Sequence, residues 1–235
     1  MLEIYAYDIR NLLNKNEYET RLANASSCRK EKINKCTLQQ KALENLAAAA
    51  VIDEAVKQFG LREKQINYGF GEVGKPYIKS VCKDADSFAN NIKNIHFNIS
   101  HSGDYAVCAI SDCEVGIDIQ KIEKPNLQVA ERFFAKNEYE YILNQPDEKS
   151  KTEAFYRIWT LKESFVKAVG VGTNLPFDSF EFDMSEEKVC LKQITGGKEV
   201  FDEISYSFKE VSLSQTHIIG KREDELYKMA VCVVR

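Results

Sequence analysis

Four groups of residues carry side chains suited to chemistry. Ser100-His101-Ser102-Gly103 sets hydroxyls, an imidazole and turn amides side by side. Together they can hold a phosphate; a polar turn with an exposed His accounts for the same residues. Adjacent Ser and His do not suit a nucleophile–base pair, because the base must reach the hydroxyl. Asp118 and Gln120 stand two residues apart in an apolar run. On a strand they share one face, as a hard-oxygen pair of the kind Mg²⁺ takes or as two solvent-facing polar groups. Lys162, Glu163 and Lys167 place a carboxylate for metal or base work between two ammoniums that suit phosphate. Glu163 and Lys167 are also i,i+4, the spacing of a surface ion pair. Last, Arg29, Lys30, Lys32, Lys35 and Lys41, with Lys75 in a Gly-rich stretch, would anchor a polyphosphate or form a solvated face.

Regular elements must position these groups. A first strand is expected over 3–9. A long helix is expected over 37–59, with Leu43, Leu46, Ala47, Ala50, Val51 and Val56 at helical spacing and Gly60 as its stop. The stretch 69–76 reads as a loop with little regular structure. Residues 95–99 alternate, so one face is buried and His96 and Asn98 look the other way. An apolar strand follows over 105–110, then a turn. Val115, Ile117 and Ile119 form the next buried face, with Gly116, Asp118 and Gln120 opposite. Helices are expected from Leu127 after Asn126 and from Glu138 after Asn137, with both asparagines as N-caps. Ser150-x-x-Glu153 has the capping-box pattern and should open a helix over 150–168, ended by Gly170 and Gly172. The remainder is strand-rich. Its last strand, Ala230-Val231-Cys232-Val233-Val234, echoes Ala106-Val107-Cys108-Ala109-Ile110, a weak sign of duplication.

The 235 residues allow one large domain or two halves of about 100–120 residues each. With 44% hydrophobic and 29% charged residues, the chain is of globular type rather than disordered. A net charge of −4 argues against a general nucleic-acid binder. No apolar run approaches the roughly 20 residues of a membrane span, and the first residues lack the pattern of a signal peptide. The seven scattered cysteines form no CxxC pair, and there are only three histidines. A reducing cytoplasmic setting, without structural disulfides or a zinc site, is expected.

At these residues the sequence resembles the Sfp-type 4′-phosphopantetheinyl transferases. The resemblance is carried by Gly74-Lys75-Pro76-Tyr77, Phe97-Asn98-Ile99-Ser100-His101-Ser102, Val115-Gly116-Ile117-Asp118-Ile119 and Glu131-Arg132-Phe133-Phe134. It ends with the run from Phe155 to Lys167 that contains Trp159-Thr160-Leu161-Lys162-Glu163. The ordered set is specific; each motif alone is not. The resemblance implies an α+β fold of two similar halves in a pseudo-twofold arrangement, 1–112 and 113–235, with the active site in the cleft between them. It implies Mg²⁺-dependent transfer of the 4′-phosphopantetheinyl group from coenzyme A to a serine of an apo acyl, peptidyl or polyketide carrier protein. Adenosine 3′,5′-bisphosphate is released. A monomer is implied, with no nucleic-acid or membrane partner. The rival is a coenzyme A-binding protein of the same fold with lost or weak turnover.

By the same resemblance, Asp118, Glu163 and Gln120 fall at metal positions, with Glu163 also the base for the carrier serine. Lys167 would hold the pyrophosphate, with Lys162 in support. Ser100 and His101 would bind coenzyme A phosphates, Lys75 and Pro76 would line the nucleotide side, and Arg29 and Lys32 would lie near the 3′-phosphate. Two positions depart from the pattern. Gln120 stands where many members carry Glu, and Glu44 where an Arg is often found, so that Lys41 would have to substitute unless Glu44 faces away. The stretch 170–185, with Val171, Leu175 and Phe177, would help dock the carrier.

Overall fold

The computed structural model describes residues 1–82, 94–184, 189–194, 205–223 and 226–235. Ser185, at the end of the expected docking stretch, lies outside them. The first half opens with strand β1 (Leu2–Asp8), then helices α1 (Lys15–Asn24), α2 (Ser27–Asn34) and α3 (Gln39–Val56). Strands β2 (Ile66–Phe70), β3 (Pro76–Val81), β4 (His96–Ser102) and β5 (Tyr105–Ser111) follow. The second half runs through β6 (Val115–Lys121), α4 (Leu127–Phe133), α5 (Lys136–Leu143) and α6 (Glu148–Val169). It closes with β7 (Phe180–Asp183), β8 (Cys190–Ile194), β9 (Tyr206–Glu210), β10 (His217–Ile219) and β11 (Tyr227–Val234). No helix among the described residues is long and apolar enough to cross a membrane.

The fold is α+β, and its two halves repeat one plan. In the first sheet the order is β10-β1-β5-β4, and in the second it is β6-β11-β9. Each half therefore pairs its first strand antiparallel with its last and places a third strand on the far side. The two cysteine echoes take equivalent places: Cys108 lies between Tyr5 and Ile99, and Cys232 between Gly116 and Phe208. β10 departs from the plan, because it comes from the second half of the chain and extends the first sheet in parallel with β1.

Three apolar clusters make the layers. One lies between α3 and the first sheet, where Ala47, Ala49 and Ala50 let the helix sit close. A second lies between α6 and the second sheet. The third joins the inner faces of the two sheets through Ile4, Ala6, Val107, Ile117, Ile119 and Val231. β5 is buried along its whole length because it is covered on both faces, which explains a continuous apolar run rather than an alternating one.

Several element boundaries shift from expectation. α3 ends at Val56 and tightens into a 3₁₀ turn over 57–59, and Gly60 stops it at φ +69°. The stretch 69–76 is a loop over 71–75 only: its ends belong to β2 and β3, which pair Phe70 with Pro76 and so make the loop a hairpin turn. α5 begins before Asn137, because the Glu138 carboxylate reaches back to accept the Ala135 N–H. α6 begins before Ser150, because Asp147 caps it by accepting the Ser150 N–H at 2.7 Å; an acid suits a helix N-terminus. Asn98 does face away from Phe97, but toward the other half, where it is 5% exposed and accepts the Ile117 N–H at 3.0 Å.

Candidate active site at the seam of the two halves

Side chains, rather than a ladder, join β4 to β6. Asn98, Ser100 and Ser102 are alternate residues of β4 and so point to one face. Asn98 accepts from Ile117 N–H, Ser102 Oγ accepts from Lys121 N–H at 2.9 Å, and Ser100 Oγ donates to Asp118 Oδ1 at 2.8 Å. This zipper brings the first predicted group, Ser100, against the second, Asp118.

Gly116 brings the third. It shares a strand face with Asp118, and a Cβ there would overlap the Ser164 carbonyl and the Ala168 nitrogen of α6. Only glycine lets the helix press this close to β6. Lys167 thereby reaches down to Asp118 Oδ1 at 2.6 Å, to Ser100 Oγ at 3.0 Å and to the Ile117 carbonyl at 3.3 Å. Gln120 turns its amide nitrogen to Asp118 Oδ2 at 3.0 Å. Asp118 is 1% exposed and accepts three hydrogen bonds.

Glu163, one turn before Lys167, differs. Among the described residues no hydrogen-bond donor holds its carboxylate, and it lines a cavity of about 620 Å³. Burial and then the charge of Asp118 push its pKa up, and Lys167 only partly offsets them. Much of the cavity wall is apolar: Val73, Phe133, Trp159, Val166, Leu175 and Phe177. Leu175 and Phe177, expected at a docking surface, also pack on the core beneath α6.

The remaining predicted residues divide. Lys75 lines the same cavity and donates to Glu114 Oε2 at 2.6 Å and to the Ala168 carbonyl at 3.0 Å. Pro76 lies beside it in an adjoining cavity of about 300 Å³ with His96, Glu114 and Gly170. His101 is partly exposed, with Nδ1 3.8 Å from Glu44 Oε2. Burial of the inner side of its ring, with Lys41 and Lys167 nearby, outweighs Glu44 and lowers its pKa. Glu44 does not face away. Burial would raise its pKa, but Lys41 at 3.0 Å and His101 outweigh that and hold it below the usual carboxylate range.

Lys32 is exposed, its ammonium over the Phe70 ring of the hairpin that carries Pro76. Arg29 is not brought to the seam. It is buried in the first half, 4.0 Å from Glu63 and over the Tyr68 ring. Glu63 is itself fixed by Ser26 and Tyr68, so an ion pair with Arg29 beneath α2 is satisfied internally. Lys162 is likewise not brought to the cavity. Its side chain is 0% exposed, and Glu138 and two backbone carbonyls take its ammonium.

Sequence reasoning missed Asn98, Glu114, Gly116 and Glu138. Gly116 had a signal, a glycine inside an apolar strand. Glu138 had none, since its partner is 24 residues away in sequence (162 minus 138).

Residues 114–232 match the 4′-phosphopantetheinyl transferase superfamily, and residues 14–113 match the N-terminal region of 4′-phosphopantetheinyl transferases. A 4′-phosphopantetheinyl transferase of Bacillus subtilis is 31% identical over 233 residues, covering 98% of this chain and 92% of that protein. The chain belongs to the 4′-phosphopantetheinyl transferase superfamily. It is of the Sfp type: the transferase Sfp of Bacillus subtilis strain 168 is 30% identical, with 98% of this chain and 92% of that protein covered. The transferase gsp of Aneurinibacillus migulanus is 30% identical over 192 residues, 81% of this chain and 75% of that protein.

For a Sfp-type enzyme the oxygen donors at the seam matter most. Among the described residues no three His, Cys, Asp or Glu side chains gather into a metal cage. The pair Asp118 and Glu163, close enough for one charge to raise the other's pKa, is a hard-oxygen set. Mg²⁺ takes one or two carboxylates and keeps several waters, so the donor set fits it.

Proposed function

We propose that this enzyme moves the 4′-phosphopantetheinyl group from coenzyme A to a serine of an apo carrier protein at the seam between 1–112 and 113–235. The observation that carries it is the joining of Ser100 and Asp118 by Lys167, which with Glu163 lines a largely apolar cavity. Lys167 and Ser100 are one hydrogen bond apart and share Asp118, so an incoming pyrophosphate oxygen finds an ammonium and a hydroxyl already placed. Lys75 and Pro76 flank the nucleotide side, and His101 adds a phosphate contact. Glu163, held protonatable by burial, accepts the proton of the serine hydroxyl directly or through one water. The serine oxygen bonds to phosphorus as the bond to the leaving bisphosphate breaks, and Lys167 stabilises the charge left behind.

Asp118 and Glu163 would hold Mg²⁺, with Gln120 beside them. When bound, that ion would neutralise the pyrophosphate and the charge on its leaving oxygen. The partner is an acyl, peptidyl or polyketide carrier. The enzyme acts as a monomer, since both walls of the cleft come from one chain, and in the cytoplasm, where seven thiols stay reduced.

The test is incubation of the purified protein with coenzyme A, Mg²⁺ and apo carriers. A mass gain of one phosphopantetheinyl group on a carrier is expected. Coenzyme A binding with no gain on any of several carriers would favour a binding protein that has lost turnover.

A further inference from the structure

The residue before Glu163 on α6 has a different environment. Lys162 donates to the carbonyls of Phe177 and Phe180, both at 2.7 Å, and pairs with Glu138 Oε2 at 2.8 Å. An ammonium has three donors, and all three are used. The Phe180 ring lies 4.2 Å from it, with Phe134 and Phe182 each at 5.8 Å. Glu138 is equally committed, accepting the N–H groups of Ala135 and Phe182 at 3.0 Å. One buried pair thus ties α6, the start of α5, β7 and the segment 177–180 into one unit.

That segment is a wall of the cavity. Leu175, Pro176, Phe177 and Asp178 line it, and so do Trp159 and Glu163. Phe177 meets the Trp159 ring edge-on at 5.7 Å. The segment from Val171 to Ser179 has only short 3₁₀ turns of its own, so its position against α6 depends on side-chain anchors. Lys162 supplies one within it, at the Phe177 carbonyl, and one at its end, at the Phe180 carbonyl that opens β7, from the same helix turn that presents Glu163.

We propose that Lys162, paired with Glu138, is a positioning residue: it fixes the wall 175–178 relative to Glu163 and so sets where the carrier serine stands. This rests on the proposed transferase function. Lys162 acts through the wall and touches no substrate. Transfer needs oxygen, phosphorus and base in near-attack geometry, and a displacement of about 1 Å can cost up to about 10²-fold.

Two variants test it. Lys162→Met frees the Phe177 and Phe180 carbonyls but strands Glu138. The double variant Lys162→Met/Glu138→Gln removes the ionisable pair with little change of volume and keeps an acceptor oxygen for one of the two backbone N–H groups; its circular dichroism guards against simple misfolding. Both are expected to raise KM for the carrier and lower kcat, by about tenfold or more in the ratio. Calorimetric affinity for coenzyme A should stay within about twofold, well under the factor of ten that a unit change of 1.4 kcal/mol gives. Trp159 is the single tryptophan, so its emission and acrylamide quenching report the wall directly. Quenching should rise in both variants while the far-ultraviolet circular dichroism of the double variant matches wild type. A loss of coenzyme A affinity that tracks the loss of activity would make Lys162 a phosphate ligand and overturn the proposal. So would wild-type quenching in both variants. If the wild-type protein transfers nothing to any carrier, the transferase function fails by itself, and quenching still decides whether Lys162 holds the wall.

Discussion

Helix α6 carries two lysine–carboxylate pairs, Lys162 with Glu138 and Lys167 with Asp118, and their surroundings differ in every respect that decides a role. The first pair is closed: both side chains are 0% exposed, and the ammonium has no donor left. The second is open on one side: Lys167 is 26% exposed, lines the cavity, and shares Asp118 with Ser100 and Gln120. Charge and spacing are similar in the two. What separates them is whether the lysine can exchange its partner for a ligand. Lys167 can trade Asp118 for a phosphate oxygen while Asp118 keeps two other donors; Lys162 has nowhere to go.

The largest effect should come from the group beside both pairs. Glu163→Gln keeps the shape and removes the base, and carrier labelling should fall about 10²–10⁴-fold with coenzyme A binding largely kept. Labelling at the wild-type rate, followed by mass spectrometry, would remove Glu163 from its role. Next, the two lysines should part company. Lys162→Met leaves Glu138 buried without its cation and should cost about 3–5 kcal/mol of stability. Lys167→Met leaves Asp118 with Ser100 and Gln120, and should cost about 1–3 kcal/mol while weakening coenzyme A binding. Denaturant titration and calorimetry read both. If Lys162→Met were the milder of the two in stability, the contrast between closed and open pairs would be wrong.

Which of these residues the sequence made legible follows a physical line. A strand's period of two put Asp118 and Gln120 on one face, and i,i+4 spacing put Glu163 and Lys167 on one side of a helix; both hold. The repeated plan of the halves was visible as a cysteine echo. Periodicity fixes the face but not what lies across from it. Asn98 therefore looked merely polar although it accepts a backbone N–H from across the seam, and Lys162 looked like a phosphate ligand although its ammonium is paired with Glu138. Arg29 failed for the same reason, with Glu63 as its captor. Long-range partners are set by packing, and no local spacing encodes them.

Acidity offers a finer test of the open side. Burial and Asp118 hold the Glu163 pKa above its ordinary value, so the folded state binds that proton more tightly than the unfolded chain. Such a group helps stability most below its unfolded pKa, and the help is lost as pH rises through the folded pKa. In metal-free buffer, Glu163→Gln should therefore gain thermal stability over wild type at about pH 8 and lose that advantage at about pH 4. A Tm difference that is flat in pH would show that Glu163 is not under this strain.

The smallest effect belongs to Gln120, and it probes the carboxylate side of the open pair. Its amide nitrogen donates to Asp118 Oδ2. Gln120→Glu deletes that donor and sets a second negative charge against a buried one. In chelator the variant should be less stable, by about 1–2 kcal/mol, or a fall in Tm of about 2–8 °C for a chain of this size. With Mg²⁺ the sign should reverse. An added carboxylate raises the attraction of the site for a hard cation, and a ligand that binds only the folded state stabilises it in proportion to the logarithm of its occupancy. The Mg²⁺-induced rise in Tm should thus be larger for the variant than for wild type, and activity should be kept or raised. Equal Mg²⁺ shifts in the two proteins would place Gln120 outside the reach of the ion, and its amide would then serve only to hold Asp118 in place for Lys167.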